Sequence, residues 1–191
     1  MEYAHGPCTA AITRINLFML DNINKDLRNY QGNWSQQGFW VMLVYRFGRW
    51  RYSIKNSFLR KPLSLVYKLL YKLVQIVTGI ELPCEVEIGD NFIIDHFGGI
   101  IISGYAKFGD NCRIRNGVVV GLKNVNTLAA PQFGNNVDIG AGAKILGNIS
   151  IGNNVLIGAN AVVICNVPDN SIAVGVPAIV KPRKSIDLAN E

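Results

Sequence analysis

From Phe133 to Val167 an aliphatic or aromatic residue recurs at every sixth position: Phe133, Ile139, Ile145, Ile151, Ile157 and Val163. Four positions after each comes a second apolar residue, in order Val137, Ala143, Ile149, Val155, Ala161 and Val167. A helix repeats near 3.6 residues and a hairpin strand at about 2, so a sustained period of six predicts a repeat architecture. Each hexad reads as one face of a triangular coil, and three hexads as one turn of a parallel β-helix.

The same phase begins near residue 80, with Leu82, Ile88 and Ile94 in register and Val86 and Phe92 at the companion positions. It slips at His96-Phe97-Gly98-Gly99, resumes at Phe108, Ile114 and Val120, and breaks again across residues 121–132 before Phe133 restarts it. Slips in a solenoid are loops extruded from one face, and such loops carry function. The two interruptions are therefore where a site is expected.

The N-terminal third follows a different rhythm. Asp21 to Tyr30 has an amphipathic helical character, and Gly32-Asn33-Trp34-Ser35 reads as a turn able to cap the next segment. Phe39 to Arg49 is apolar, with Arg46 and Arg49 at its end, where cations suit a helix C-terminus. Pro62 is expected in the first turn of a following helix that Gly79 ends. Along that helix Leu65, Leu69, Leu73 and Ile76 share one side, and Lys68 and Lys72 another. The division expected is a helical region over 1–79, a β-helix over 80–180 and a tail over 181–191.

Composition sharpens this picture in three ways. A hydrophobic content of 49% with 17% charged residues describes a folded chain. The net charge of +6 is uneven, since residues 27–80 hold nine basic side chains and no acidic one. Such a basic, aromatic-rich helical element suits either a cap packed on the prism or a sister subunit, or a surface lying on anionic lipid. Nucleic acid is not expected as a partner, because no binding motif accompanies the charge. The cysteines Cys8, Cys84, Cys112 and Cys165 show no framework spacing. Cys112 falls on the inward phase of a hexad, so buried free thiols and a reducing cytoplasm are expected. A signal peptide is not expected, since Glu2 stands where a basic flank belongs, nor is a spanning helix, since no run of 18 apolar residues is uninterrupted.

The first interruption, Ile94-Asp95-His96-Phe97-Gly98-Gly99, carries the one histidine of the repeat region. A lone histidine is more often structural than catalytic. Here it sits at a break, follows an aspartate and precedes two glycines that leave backbone open to a ligand. Imidazole also serves as a general base near neutral pH.

At these residues the chain resembles a known family. The hexapeptide repeats, Ile80-Glu81-Leu82, Ile94-Asp95-His96, the Gly140-Ala141-Gly142-Ala143 stretch running to Ile149, and Gly175-Val176-Pro177-Ala178 are similar to the bacterial serine acetyltransferases. The chain as a whole, with Asn33-Trp34-Ser35-Gln36-Gln37-Gly38-Phe39-Trp40 and the basic helices, more closely resembles the serine-acetyltransferase-like O-acetyltransferases of polysaccharide biosynthesis. That resemblance implies a mainly β fold, a left-handed parallel β-helix preceded by an N-terminal α-helical segment, assembled as a homotrimer with active sites between neighbours. A prism of about six coils on its own would leave one face apolar and the cofactor groove half built. The helical region is shorter than the one that pairs trimers in true serine acetyltransferases, so assembly is expected to stop at the trimer.

The resemblance also implies roles. His96 matches the general base and Glu81 its orienting carboxylate. Asp95 matches an acceptor-binding aspartate. Gly140, Ala141 and Ala159 match positions where the pantetheine arm of acetyl-CoA passes the backbone, and Gly121 matches the first of a glycine pair near the thioester, although Leu122 replaces the second. Lys181, Arg183 and Lys184 either meet the CoA phosphates or form a solvated basic tail. Asn116, one coil beyond His96, either offers a donor and an acceptor to hydroxyl groups or fills a corner where left-handed backbone suits asparagine.

Serine acetyltransferases carry Arg-His-Pro in the second loop, where this chain has Ala129-Ala130-Pro131. A serine carboxylate then has no evident counter-charge, which points to a sugar or glycan hydroxyl as acceptor. Serine O-acetylation and a non-catalytic hexapeptide scaffold are the alternatives. No metal is expected: the zinc carbonic anhydrases built on this prism need three histidine ligands, and this chain has two histidines, His5 and His96.

Overall fold

A computed structural model describes residues 19–124, 126 and 128–183. His5, Cys8 and Lys184 lie outside the described residues. Three helices come first: α1 (described from residue 19 to 29), α2 (Gln37–Tyr52) and α3 (Ser57–Thr78). The turn after α1 is held by Asn33, whose Oδ1 accepts from the Ser35 amide at 3.0 Å and from its hydroxyl at 2.7 Å. It does not cap α2. The N-cap there is Gln36, without a side-chain bond. Helix α3 also starts earlier than the proline predicts, because Asn56 Oδ1 accepts from the Phe58 amide and caps it at Ser57. Pro62 therefore lies inside the helix instead of its first turn. Gly79, at φ 66°, ends it as expected.

Strands begin one residue later and wind a left-handed parallel β-helix with three faces. Face A stacks β1 (Ile80–Glu81), β4 (Ile100–Ile102), β7 (Val119–Gly121), β10 (Lys144–Leu146) and β13 (Val162–Val163). Face B stacks β2 (Glu87–Ile88), β5 (Lys107–Phe108), β8 (Gln132–Phe133) and β11 (Ser150–Ile151). Face C stacks β3 (Ile93–Asp95), β6 (Arg113–Arg115), β9 (Asp138–Ile139), β12 (Leu156–Ile157) and β14 (Ser171–Val174), and is closed by the antiparallel β15 (Ile179–Pro182). The coils number five, not six, because residues 171–182 fold back as a hairpin instead of completing another turn.

Stacked partners lie 18 residues apart where the hexads are regular, as in Ile101 with Val119 and Lys144 with Val162. The spacing is 20 for Ile80 with Ile100 and 25 for Val119 with Lys144. The first interruption thus adds two residues between β3 and β4, and the second adds seven between β7 and β8.

Every sixth-position residue from Phe133 to Val163, and every companion from Val137 to Val167, is buried. Cys112 is buried among them and free. The helices share this core: Tyr45 donates to the Val86 carbonyl at 2.8 Å, and Tyr67 accepts from the Cys84 amide at 3.1 Å. The side of α3 that packs inward carries Tyr67, Tyr71, Val74 and Thr78. Leu65, Leu69, Leu73 and Ile76 face away and are exposed, so that stripe does not pack on the prism.

Candidate active site

The register lines the expected site residues along one edge of the prism, where face C turns into face A. Asp95 is level with Arg115, which puts His96 beside Asn116, and the next two coils bring Ala141 and then Ala159 to the same corner. Backbone bonds run down this edge, from Gly117 N to Gly98 O, Gly142 N to Asn116 O and Asn160 N to Ala141 O. With coils about 4.8 Å apart, His96 and Ala159 are separated by about 14 Å along the edge. The sequence placed these four in different hexads, and the fold makes them a row.

His96 is exposed and has φ 62°. A left-handed backbone is unusual for a residue with a Cβ and persists where the surroundings impose it. Among the described residues eight non-glycines have positive φ, and six of them are asparagines. The other two are His96 and Gln31, and both line the same hollow of about 370 Å³. That hollow lies between the end of α1 and the turn after it, which contribute Asn29, Gln31, Asn33 and Gln36, and the end of β3 with Asp95 and His96, beside Arg113 of β6.

Tyr30 joins the two walls. Its hydroxyl accepts from the Ile94 amide at 3.0 Å and donates to the Ile94 carbonyl at 3.4 Å, two residues ahead of His96. Burial, with Asp26 and Asp95 nearby, pushes that phenol well above its ordinary range, so it stays a neutral donor and acceptor. Gly38 on α2 lets the helix approach, since a Cβ there would stand 2.5 Å from both the Ile94 carbonyl and the Tyr30 hydroxyl.

The remaining expected residues divide. Asp95 is at the site but forms an ion pair with Arg113 at 3.2 Å. Glu81 is half-buried on β1, and its Oε1 accepts from the Gln75 side chain of α3. The start of β1 adjoins the histidine loop, for a Cβ on Gly79 would stand 3.3 Å from Gly98 Cα. Asn116 is exposed, and the left-handed residue of its turn is Gly117, so backbone conformation does not account for the asparagine. Gly140 has a structural reason of its own: a Cβ there would meet the Ala159 nitrogen at 2.5 Å. Gly121 is on β7 in face A, level with Leu146. Lys181 is exposed on β15, paired with Ile172, within face C and away from the corner. Ala130 is buried, so the second interruption re-enters the core there. That interruption leaves the edge between faces A and B, which is not the edge of His96.

Sequence reading missed Arg113 and the amide side chains of the α1–α2 turn. It also missed Lys144, whose ammonium reaches back to the Gly117 carbonyl at the site edge. Only Arg113 carried a usable signal, being two residues before the level of Asp95 on the next coil.

Comparison with known proteins identifies the family. The family described as bacterial transferase hexapeptide (six repeats) matches residues 131–165. A protein of Escherichia coli K12, provisionally named colanic acid biosynthesis acetyltransferase WcaB, is 35% identical over 162 residues, covering 82% of this chain and 97% of its own length. A serine acetyltransferase of Synechococcus elongatus is 37% identical over 150 residues, 78% of this chain, but these span only 59% of that relative. The serine acetyltransferase structure from Neisseria gonorrhoeae superposes with a TM-score of 0.73 at 27% identity, covering 91% of this chain and 70% of that one. A serine acetyltransferase solved in complex with CoA gives 0.74 at 25% identity, covering 90% and 74%. With a relative of this identity matched over nearly its whole length, the chain belongs to the bacterial hexapeptide-repeat acetyltransferases.

Proposed function

We propose that the chain transfers the acetyl group of acetyl-CoA to a hydroxyl of a sugar or polysaccharide precursor, with His96 as general base. The observation that carries this is the pairing of His96 and Gln31, two costly left-handed residues facing one polar hollow. The hollow is lined by neutral amides, which offer donors and acceptors to hydroxyl groups. Its cation, Arg113, is already answered by Asp95, which leaves a free amino acid's carboxylate without an unengaged counter-charge there.

In this reaction the acceptor hydroxyl gives its proton to His96 as its oxygen bonds to the thioester carbon. The tetrahedral intermediate then breaks its C–S bond, and the departing CoA sulfur takes the proton back from the imidazolium. Glu81, held by Gln75, supplies the carboxylate that favours the imidazolium. Asp95 and Asn116 hold the acceptor. The row of Ala141 and Ala159 beyond His96 leaves room for an extended arm, and Gly121 and Lys181 contribute less directly from faces A and C. The two interruptions leave different edges, so Leu128 and Ala129 of the second can reach a His96 only across a subunit boundary. A homotrimer with sites between neighbours satisfies that condition. The free thiols of Cys84, Cys112 and Cys165 suit a reducing cytoplasm.

Turnover of acetyl-CoA measured against serine and a panel of glycans, with product masses, tests the proposal. Acetylated glycan and unmodified serine are expected. Transfer to serine alone would establish the serine acetyltransferase alternative, and no binding of acetyl-CoA would leave the scaffold reading.

A further inference from the structure

Helix α3 is anchored on one side and bare on another. Tyr67, Tyr71, Val74 and Thr78 hold it to α2 and the first coil. Roughly opposite run Phe58, Leu65, Leu69, Leu73 and Ile76, spaced so that they share a face, with exposures from 58% to 84%. Val66, Leu70 and Val77 widen the band and are exposed as well. Lys61, Lys68 and Lys72, at i, i+7 and i+11, form an exposed row along one border of it. The helix has 22 residues and is therefore about 33 Å long. An apolar strip of that length on a soluble face marks an interaction surface.

The charge decides what it meets. No aspartate or glutamate occurs between residues 27 and 80, so two copies of α3 brought together would confront lysine rows with no carboxylate on either helix. A surface of lipid phosphates answers the lysines and accepts the leucines between acyl chains, with the helix lying in the plane of the interface. No helix among the described residues is long and apolar enough to cross a membrane.

We propose that α3 docks the enzyme on an anionic bilayer, Phe58, Leu65, Leu69, Leu73 and Ile76 entering the interface and Lys61, Lys68 and Lys72 contacting headgroups. Docking is independent of the acceptor's identity. Because Gly79 joins α3 directly to β1, it would hold the His96 edge at a fixed height above the lipid.

Flotation of the full chain with phosphatidylcholine vesicles, with and without phosphatidylglycerol, tests this. Binding is expected only with the anionic lipid and should weaken in high salt. Replacing Lys61, Lys68 and Lys72 together with glutamine should lower partitioning about a hundredfold, at roughly fivefold per lysine. Leu69→Gln with Leu73→Gln should abolish it, while acetyl transfer in solution and sedimentation mass stay unchanged. Failure of the parent protein to bind, or equal binding by the lysine variant, overturns the proposal. So does a fall in sedimentation mass in the leucine variant, which would make the face a seam between copies. The lysine variant leaves the core untouched, so the test stands even if the leucine variant does not fold.

Discussion

Two edges of the same prism are built on opposite plans. Where face B turns into face C, each coil spends its left-handed position on asparagine: Asn91, Asn111, Asn136, Asn154 and Asn170. Each of the first four amides donates to the next side chain at 2.9 to 3.0 Å, giving one ladder five rungs long. Beside it a second column links the backbone amides of Asp90, Asp110, Asn135 and Asn153 to the side-chain oxygen one coil on. Where face C turns into face A, the positive-φ positions are Gly98, Gly99, Gly117, Gly142 and Asn160, and His96 stands at the irregular first turn. One edge consumes its polar groups internally, and the other keeps its surface small and leaves one imidazole exposed. Repetition with satisfied bonds stabilises the prism, whereas departure from repetition marks the edge to which the proposed chemistry is assigned.

Removing the exception should have the largest effect. His96→Ala is expected to lower acetyl transfer by about 10² to 10⁴, the usual contribution of a general base. His96→Asn should lose as much activity while melting at or above the parent temperature, since asparagine accepts the left-handed backbone. Activity surviving in both variants would reduce the histidine edge to a second structural edge.

The asparagine edge can be probed through the thiol packed behind it. Cys112 follows Asn111, is buried, and lies 3.3 Å from the Gly134 carbonyl. Burial pushes this thiol up from 9.0 to about 11. Above pH 9 the unfolded chain loses this proton before the folded chain does, so the contribution to stability is complete below pH 9 and disappears as pH rises to about 11. The loss amounts to ~2 kcal/mol across that window. Denaturant midpoints of the parent and Cys112→Ala should therefore differ in their slope against pH there, the variant being flatter. Parallel curves would remove the thiol from the account.

The difference between the edges also governs what could be read in the sequence. The hexad rhythm depends on side chains pointing inward, so Ile139, Val155 and their equivalents are visible without coordinates. Asp90-Asn91, Asp110-Asn111, Asn135-Asn136, Asn153-Asn154 and Asp169-Asn170 recur just as openly, although their ladder requires knowing which coils stack. His96 was legible because it interrupts a period. Gln31 was not, for its role depends on a left-handed turn in a helical segment that has no period to break. What the leucines of α3 face was open in the sequence for a related reason: amphipathicity shows that a helix has two faces, and here the inward one is built from tyrosines.

Breaking the ladder itself should cost stability and spare chemistry. Asn136→Ala loses the bonds to Asn111 and Asn154 and puts a Cβ without a compensating polar group at φ 56°. About 2 kcal/mol of destabilisation is expected from the two causes together. Asn136→Gly restores the backbone freedom and should recover about half. Acetyl transfer at saturating substrate should match the parent in each. A drop in turnover without a drop in stability would show that the two edges are coupled and not separate in function.

Gln31 gives the smallest and most discriminating effect. It shares the hollow and the left-handed backbone with His96 but has no titratable group, so under the proposed reaction its part would be to hold the acceptor. Gln31→Gly relieves the backbone and removes the amide, and the expected outcome is a protein at least as stable as the parent. One or two lost hydrogen bonds of about 1 kcal/mol each correspond to a KM for the acceptor raised some five- to thirtyfold, with kcat nearly unchanged. The KM for acetyl-CoA should not move, because the amide lies on the helical wall of the hollow and the row of Ala141 and Ala159 lies along the prism. Were acceptor KM unchanged while stability rose, the glutamine's strained backbone would belong to the turn alone, and His96 would remain the single functional exception on its edge.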